Sequence, residues 1–343
     1  MLMRALAAYR DGLRRVNGAL VLVAGMALVT LLVALPLSLV VRDAIESHLG
    51  QSLAAEAVAE GASFEWWQEF AAQASGVAAT FGPSLIGMGA VLDNLDGFLD
   101  NVALSPAIVA VTGTWLVIWS FLSGGVLDRL ARRRPTRAHG FFAACGGHFW
   151  RFARLGVVAL AVYAVLFSWV HQWIFQDLYP YVTRDITVER TGFAVRLSLY
   201  VLFGALLMAC ALIFDFARVR IVVEDRRSAL AAAVAGGRFG WRHAGPAIAL
   251  YLLHGVAFLA LVALYGLLSP GAPGAGLAGW GVLLLGQLYI LGRHYLKLVL
   301  YGSQISLFQS ALAHASYTAA PTVVWPDSPA AESIGNADVR TAL

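Results

Sequence analysis

Long apolar runs alternate along this chain with short charged connectors. The first run, VLVAGMALVTLLVALPLSLVV, occupies 21–41, and others follow at roughly 104–125, 155–176, 192–214, 246–268 and 278–300. Each approaches the ~20 residues that an α-helix, rising about 1.5 Å per residue, needs to cross about 30 Å of hydrocarbon. The pattern predicts an all-α polytopic membrane protein with six transmembrane helices. Arg4, Arg10, Arg14 and Arg15 precede the first run, as basic residues precede a signal peptide. A signal peptide, however, has an apolar stretch of only about 7–15 residues closed by a small-residue cleavage site. This run is longer and ends at Arg42, so a retained helix is expected. The last run carries Arg293, His294 and Lys297 near its end, where long basic side chains can reach headgroups, and it is kept as a span.

Between Arg42 and the second run no Lys or Arg occurs, while Asp43, Glu46, Glu56, Glu60, Glu65, Glu69, Asp93, Asp96 and Asp100 do. DAIESHLGQSLAAEAVAEG reads as a helix capped at Asp43. FEWWQEFAAQA follows Ser63 as a second short helix, with Trp66 and Trp67 placed for the headgroup region. VLDNLDGFLDN puts Leu92, Leu95, Phe98 and Leu99 on one helical face. The stretch 79–91 is apolar, Gly-rich and too short to span, which suits a re-entrant or interfacial segment. Residues 43–103 are therefore expected to form a small external helical cap, either structural or an acidic docking surface. The spacing of Asp93, Asp96 and Asp100 is that of a solvated helix face, and no metal site is assigned to it.

Composition narrows the class. Of 343 residues 59% are apolar and 13% charged, against about 45–50% and about 25% in soluble domains. A soluble enzyme and a disordered chain are both excluded. The two cysteines, Cys145 and Cys210, form no disulfide framework and read as small apolar fillers.

Charge then orients the bundle. All 24 Lys and Arg fall on one side of the predicted topology except Arg42, Arg184, Arg190 and Arg196. The positive-inside tendency places that side, with both termini, in the cytoplasm, in agreement with the even number of spans. The layout is residues 1–16 as a cytoplasmic N-terminus, 17–310 as the membrane domain, and 311–343 as a disordered cytoplasmic tail without periodicity. A bacterial inner membrane is the expected location.

Two basic connectors echo one another. GVLDRLARRRPTRAHGFFAACGGHFWRFARLG follows the second run and LIFDFARVRIVVEDRRSALAAAVAGGRFGWRHAG the fourth. Each leaves the membrane at an Asp (Asp128, Asp215), turns basic, enters a helix-prone piece, and passes a Gly pair (Gly146–Gly147, Gly236–Gly237) before the next run. The layout predicts interfacial elbow helices whose Gly pairs allow close packing or bending. Arg129, Arg132, Arg133, Arg134, Arg137, Arg151, Arg154, Arg218, Arg220, Arg226 and Arg227 are then candidates to contact anionic headgroups at the cytoplasmic face or a protein partner. Asp128 with Arg132, and Asp215 with Arg218, have the spacing of helical ion pairs. Those two acids and His254, an ionisable group well inside a span, are candidates for a polar pathway.

No zinc-protease spacing, phosphate-binding Gly loop, dinucleotide fingerprint or nucleophile elbow is present. No catalytic residue, metal, cofactor or nucleic-acid partner is assigned. The phrases GVLDRLARRR…FFAACGGHFWRFARLG, FDFARVRIVVEDRRSA and YLKLVLYGSQISLFQ resemble multi-span bacterial membrane proteins of uncharacterised function. More distantly they are similar to the membrane domain that accompanies some glycerophosphodiester phosphodiesterases. The likeness covers roughly 105–310, sharpest at Asp215, Arg218, Arg220, Glu224, Asp225 and Arg226, and includes no phosphodiesterase catalytic segment. It implies a membrane domain with no catalytic role carried over. The function expected is a non-enzymatic scaffold or accessory subunit of a membrane complex, with a channel or transporter for lipid or a small solute as the alternative.

Overall fold

A computed structural model describes residues 2–50, 52–60, 63–82, 88–133, 136–269 and 276–314. Arg134, residues 83–87 of the Gly-rich stretch and residues 315–343 of the expected tail lie outside the described residues. Every regular element described is helical. In chain order they are α1 (Leu2–Asn17), α2 (Leu20–Leu49), α3 (Ala55–Glu60), α4 (Phe64–Gln73), α5 (Met88–Leu99) and α6 (Pro106–Arg132). Then come α7 (Ala138–Val165), α8 (Tyr179–Thr183), α9 (Glu189–Val223), α10 (Ala229–Arg242), α11 (Ala244–Leu268) and α12 (Leu277–His314).

Among the described residues five helices are long and apolar enough to cross a membrane: α2, α6, the continuous rod Ala138–Thr183 that starts as α7, α9 and α11. The chain is thus an all-helical polytopic membrane protein. α12 is longer than any of the five except that rod, yet Gln287, Arg293, His294 and Lys297 dilute its apolar character, and it is not among them.

Local sequence accounts for several of the boundaries. Ser105 accepts a hydrogen bond from the Ile108 amide and Pro106 sits at the first turn, so α6 starts where a side-chain oxygen replaces a missing helical acceptor. Ser63 and Ser228 cap α4 and α10 in the same way. α6 is capped by Arg133 (φ 55°), while α9 is capped by Glu224 and followed by Asp225 (φ 51°), so a non-glycine residue in the left-handed region stands just beyond each helix. The second echoing connector places its left-handed residue one position further from the helix than the first does.

The elbow expectation needs correction. α10 is a separate helix, ended by His243 immediately before α11. The corresponding piece of the first connector, from Ala138, runs unbroken into the third span. The expectation for its Gly pair also fails. A Cβ on Gly146 or Gly147 would meet open space, whereas Gly124 and Gly125 on α6 face Ala144, Cys145 and Phe141 of α7 at van der Waals limits. In the second block Gly236 does pack closely, its missing Cβ lying 2.6 Å from the Ile213 carbonyl oxygen of α9.

The main core lies at the basic end. Leu127 and Leu130 of α6, Leu155 of α7, Phe216 and Ile221 of α9, Leu250 of α11, and Leu298, Ile305 and Phe308 of α12 are almost wholly buried in one cluster. α1 is part of it. Its buried face, Ala5, Ala8, Gly12 and Val16, lies on the second half of α12. There Gly12 and Gly302 bring the backbones so close that a Cβ on Gly302 would be 3.1 Å from the Gly12 Cα. Neither α1 nor this half of α12 was expected to contribute; both extend the core beyond the apolar runs.

The opposite end is held by small separate contacts. α2 continues through Asp43 to Leu49, so Asp43 caps nothing. Trp66, expected at headgroups, is buried with Phe70 and Ala78 against Ile45 and Leu49 of α2, its indole N–H donating to His48 Nδ1 at 3.1 Å. Residues 166–178 form π-helical turns, which disturb the backbone ladder. The Phe167 carbonyl there accepts from Asn101 at 3.1 Å, and His171 Nε2–H donates to the Leu99 carbonyl at 2.7 Å. Arg196 and the Tyr200 hydroxyl both donate to Asp100. These bonds fasten the end of α5 to the third and fourth spans.

Candidate functional site

Asp215 is the centre of a polar network that joins three spanning or near-spanning helices. It stands on α9, where the apolar run meets the basic connector. Its Oδ2 accepts from the Tyr251 hydroxyl of α11 at 2.6 Å and from Gln304 Nε2 of α12 at 2.9 Å, and Gln304 Nε2 also reaches the Tyr251 oxygen at 2.9 Å. Arg218, three residues further along α9, lies 3.4 Å from Asp215 Oδ1 and donates to the Tyr301 hydroxyl at 3.3 Å. Gln304 is fully buried and its Oε1 has no partner. The helical spacing of Asp215 and Arg218 holds, while their pairing with Tyr251, Tyr301 and Gln304 on α11 and α12 was not part of the sequence reading.

The network continues on α12 and α6. Lys297, one turn before Tyr301, places Nζ 4.0 Å from the Trp119 ring centroid, and that indole stacks on Tyr301 at 6.1 Å. Lys297 makes no ion pair with any described residue. Lys297, Tyr301 and Gln304 recur at i, i+4 and i+7, so one face of α12 delivers all three. That spacing was the signal in the sequence. The reading of Lys297 as a basic residue at a helix end concealed it.

Along α11, Tyr251 is about 10 Å from the first residue at 1.5 Å per residue, placing this cluster below the level at which the helix begins. Toward the basic end it is sealed by Phe216, Ala217, Ile305 and Phe308, all at 0% exposure. Away from that end α6 buries nothing before Trp119. Leu116, Leu206, Phe258 and Leu288, on four of the surrounding helices, are exposed. Arg218 lies at this change, its side chain 31% exposed between fully or nearly fully buried neighbours.

The other candidates are dispersed. Asp128 is buried, paired with Arg132 at 2.7 Å, and lines an open cleft of about 450 Å³ with Ala131, Val222, Val223 and Gln309. No described contact joins it to Asp215. His254 Nδ1–H donates to the Leu250 carbonyl at 2.8 Å, its ring meets Tyr9 of α1 edge-on at 4.8 Å, and its buried Nε2 has no partner. It follows Tyr251 by three residues on α11 and packs under α1.

Many of the candidate arginines bind the protein itself. Arg129 donates to the Gly18 carbonyl, Arg133 pairs with Asp11, and Arg151 pairs with Asp225. Arg220 and Arg226 both hold Glu224, and Arg220 also donates to the Ala235 carbonyl at 2.7 Å. Burial pushes the Glu224 carboxyl up, but the hydrogen bonds and charges of Arg220 and Arg226 outweigh it and leave it below its ordinary value. The Asp225 carboxyl is also lowered, chiefly by the Arg151 hydrogen bond. Arg137, Arg154 and Arg227 are exposed, without an ion pair to another described residue, and face the surroundings.

A residue absent from the expected site fixes the basic end. Arg15 of α1 is buried, donating to Asp11 Oδ2, to the Leu130 carbonyl near the end of α6, and to Gln309 Oε1 of α12, each at 2.8 Å. Burial raises the Asp11 carboxyl, while hydrogen bonds from Arg15 and Ser306 and the charges of Arg15 and Arg133 lower it further than that.

No family model, curated protein or solved structure matches this chain. The site therefore rests on its own chemistry. Among the described residues no group of three or more His, Cys, Asp or Glu is placed to hold a metal ion. The Asp215 network offers two cations, two phenols and a carboxamide around one carboxylate. That set recognises charge.

Proposed function

We propose that the protein crosses a bacterial inner membrane six times, α12 being the sixth pass, with the basic end and both termini in the cytoplasm. In this reading it is a non-enzymatic scaffold or accessory subunit that holds partner helices beside it. The observation that carries the reading is the uneven packing of the helices. In their most apolar stretches the five spans bury only 6–22% of residues inside the chain. Their inner ends, by contrast, are locked together with α1 and α12. Helices in lipid associate by close packing and interhelical hydrogen bonds, not by hydrophobic exclusion from water. A bundle knotted at one end and loosely paired elsewhere keeps long helix faces available to a neighbour.

Six passes also place the basic connectors, α1 and the end of α12 on one side, as the positive-inside tendency favours. The test is gentle extraction of the protein from its own membrane with quantitative mass spectrometry of what accompanies it. A protein partner at fixed stoichiometry supports the scaffold reading; recovery without any stoichiometric protein overturns it. A second reading, a channel or transporter for lipid or a small solute, is favoured by the charged cluster around Asp215 in the bundle interior, since such groups in membrane helices commonly mark a pathway. Solute or lipid flux in vesicles holding the purified chain tests it.

A further inference from the structure

We propose that Arg218 and Lys297 together bind a singly charged phosphate ester, the headgroup of an anionic phospholipid lodged between the helices. The proposal stands apart from the scaffold reading and requires only that the spans lie in a membrane.

Charge balance is the first ground. The cluster contains the cations Arg218 and Lys297 and the carboxylate Asp215, and among the described residues Asp215 is the acid within ion-pair distance of Arg218. Lys297 is within electrostatic reach of both, and its close contact is an aromatic face, not an anion. One positive charge is left over in a low-dielectric setting, where unpaired charges are costly. A phosphodiester carries one negative charge. Arg and Lys are the side chains that take phosphate oxygens, Arg through its planar fork and Lys as a point charge.

Position is the second ground. The cluster lies where the sealed basic end meets the looser part of the bundle. Phe216, Ile305 and Phe308 close it from below, while Leu116 and Phe258, further along α6 and α11 on the sides that carry Trp119 and Tyr251, are exposed. A lipid with its phosphate at Arg218 and Lys297 would extend its acyl chains along these apolar surfaces. That is the orientation of a lipid from the leaflet at the basic end. Trp119, beside Lys297, and Tyr301, beside Arg218, stack on each other and supply a flat wall and a hydroxyl that can donate to a phosphate oxygen. Gln304, whose amide is already turned toward Asp215, holds the carboxylate away from the anion.

The experiment uses the full chain in nanodiscs of phosphatidylcholine alone, of phosphatidylcholine with phosphatidylglycerol, and of phosphatidylcholine with inorganic phosphate in the buffer. Thermal stability and lipid retained in native mass spectrometry are the readouts. Wild type should retain phosphatidylglycerol and melt higher in its presence. Lys297→Met and Arg218→Gln should each weaken retention about tenfold, or about 1.4 kcal/mol, while Arg190→Gln, exposed at the opposite end of α9, leaves it unchanged. Asp215→Asn should strengthen retention, because it adds net positive charge and keeps an oxygen to accept from Tyr251. A purely structural role for Asp215 gives the opposite sign, so the test survives a variant that folds poorly. Stabilisation by inorganic phosphate equal to that by the lipid assigns the same two cations to a soluble phosphate. Retention indifferent to K297M, or weakened by D215N, overturns the proposal.

Discussion

Alanine at Gly236 and alanine at Gly237 should change stability in opposite directions. A Cβ at Gly236 would be 2.6 Å from the Ile213 carbonyl oxygen and 2.8 Å from the Ala217 amide nitrogen, both backbone atoms of α9. Ordinary contact begins at 3.4 Å, and a helix backbone cannot rotate aside, so α10 must retreat by most of the difference. Overpacking of this kind costs about 1–3 kcal/mol, less the ~1 kcal/mol by which Ala exceeds Gly as a helix former. A Cβ at Gly237 would meet only the Ile213 side chain, at 3.6–4.0 Å. There the propensity gain, about 0.5–1 kcal/mol, stands alone. Thermal unfolding of the detergent-solubilised protein, followed by size-exclusion fluorescence, should rank G237A at or above wild type and G236A below it. G124A should fall with G236A, since its Cβ would approach His148 and Ala144 of α7, and G147A should behave like G237A. Equal melting of G236A and G237A would refute the close approach of α9 and α10.

Two further predictions concern the basic end. Arg15→Met removes three hydrogen bonds from a side chain only 4% exposed and leaves Arg133 as the remaining ion-pair partner of Asp11 among the described residues. Hydrogen bonds to a charged group contribute about 1.5–3 kcal/mol each, so R15M should lower the melting temperature strongly and expose α1 to protease. Acid should loosen the same region. Asp11 and Glu224 have folded-state pKa values below their ordinary 3.8 and 4.5. Their contribution is therefore present above those values and disappears as pH falls through the lower folded ones. Melting temperature measured downward from neutral should drop below about pH 4, and D11N together with E224Q should flatten that drop. An unchanged slope in the double variant would show that other groups carry the acid sensitivity.

The apolar runs made the membrane class and most of the spans legible because hydrocarbon thickness demands a fixed length of apolar helix. α12 was harder, since its Lys297, Tyr301 and Gln304 look like the frayed end of a span until α1, α9 and α11 are seen packed around them. α1 was missed for a related reason. Its arginines read as topology signals, yet Arg15 is a buried fastener whose acceptors lie far off in sequence at Leu130 and Gln309. The echo between the two basic connectors was visible, as were the helical pairs Asp128–Arg132 and Asp215–Arg218. What those pairs face depends on neighbouring helices, and no local spacing reports it. The Gly pairs show the same limit: Gly146–Gly147 and Gly236–Gly237 match in sequence, but close packing falls to Gly124 and Gly125 in one block and to Gly236 in the other.

The central claim, the basic end in the cytoplasm and the cap on the other side of the membrane, is tested most directly by cysteine labelling. In a Cys145→Ala, Cys210→Ala background, single cysteines replace exposed Ser75 in the cap, Arg137 in the first connector and Arg227 in the second. A membrane-impermeant maleimide applied to intact cells with a permeable outer envelope should label S75C, and should reach R137C and R227C only after lysis. Labelling of R137C or R227C in intact cells, with S75C protected, would contradict the orientation. Labelling of the two connectors on different sides would contradict the bundle itself.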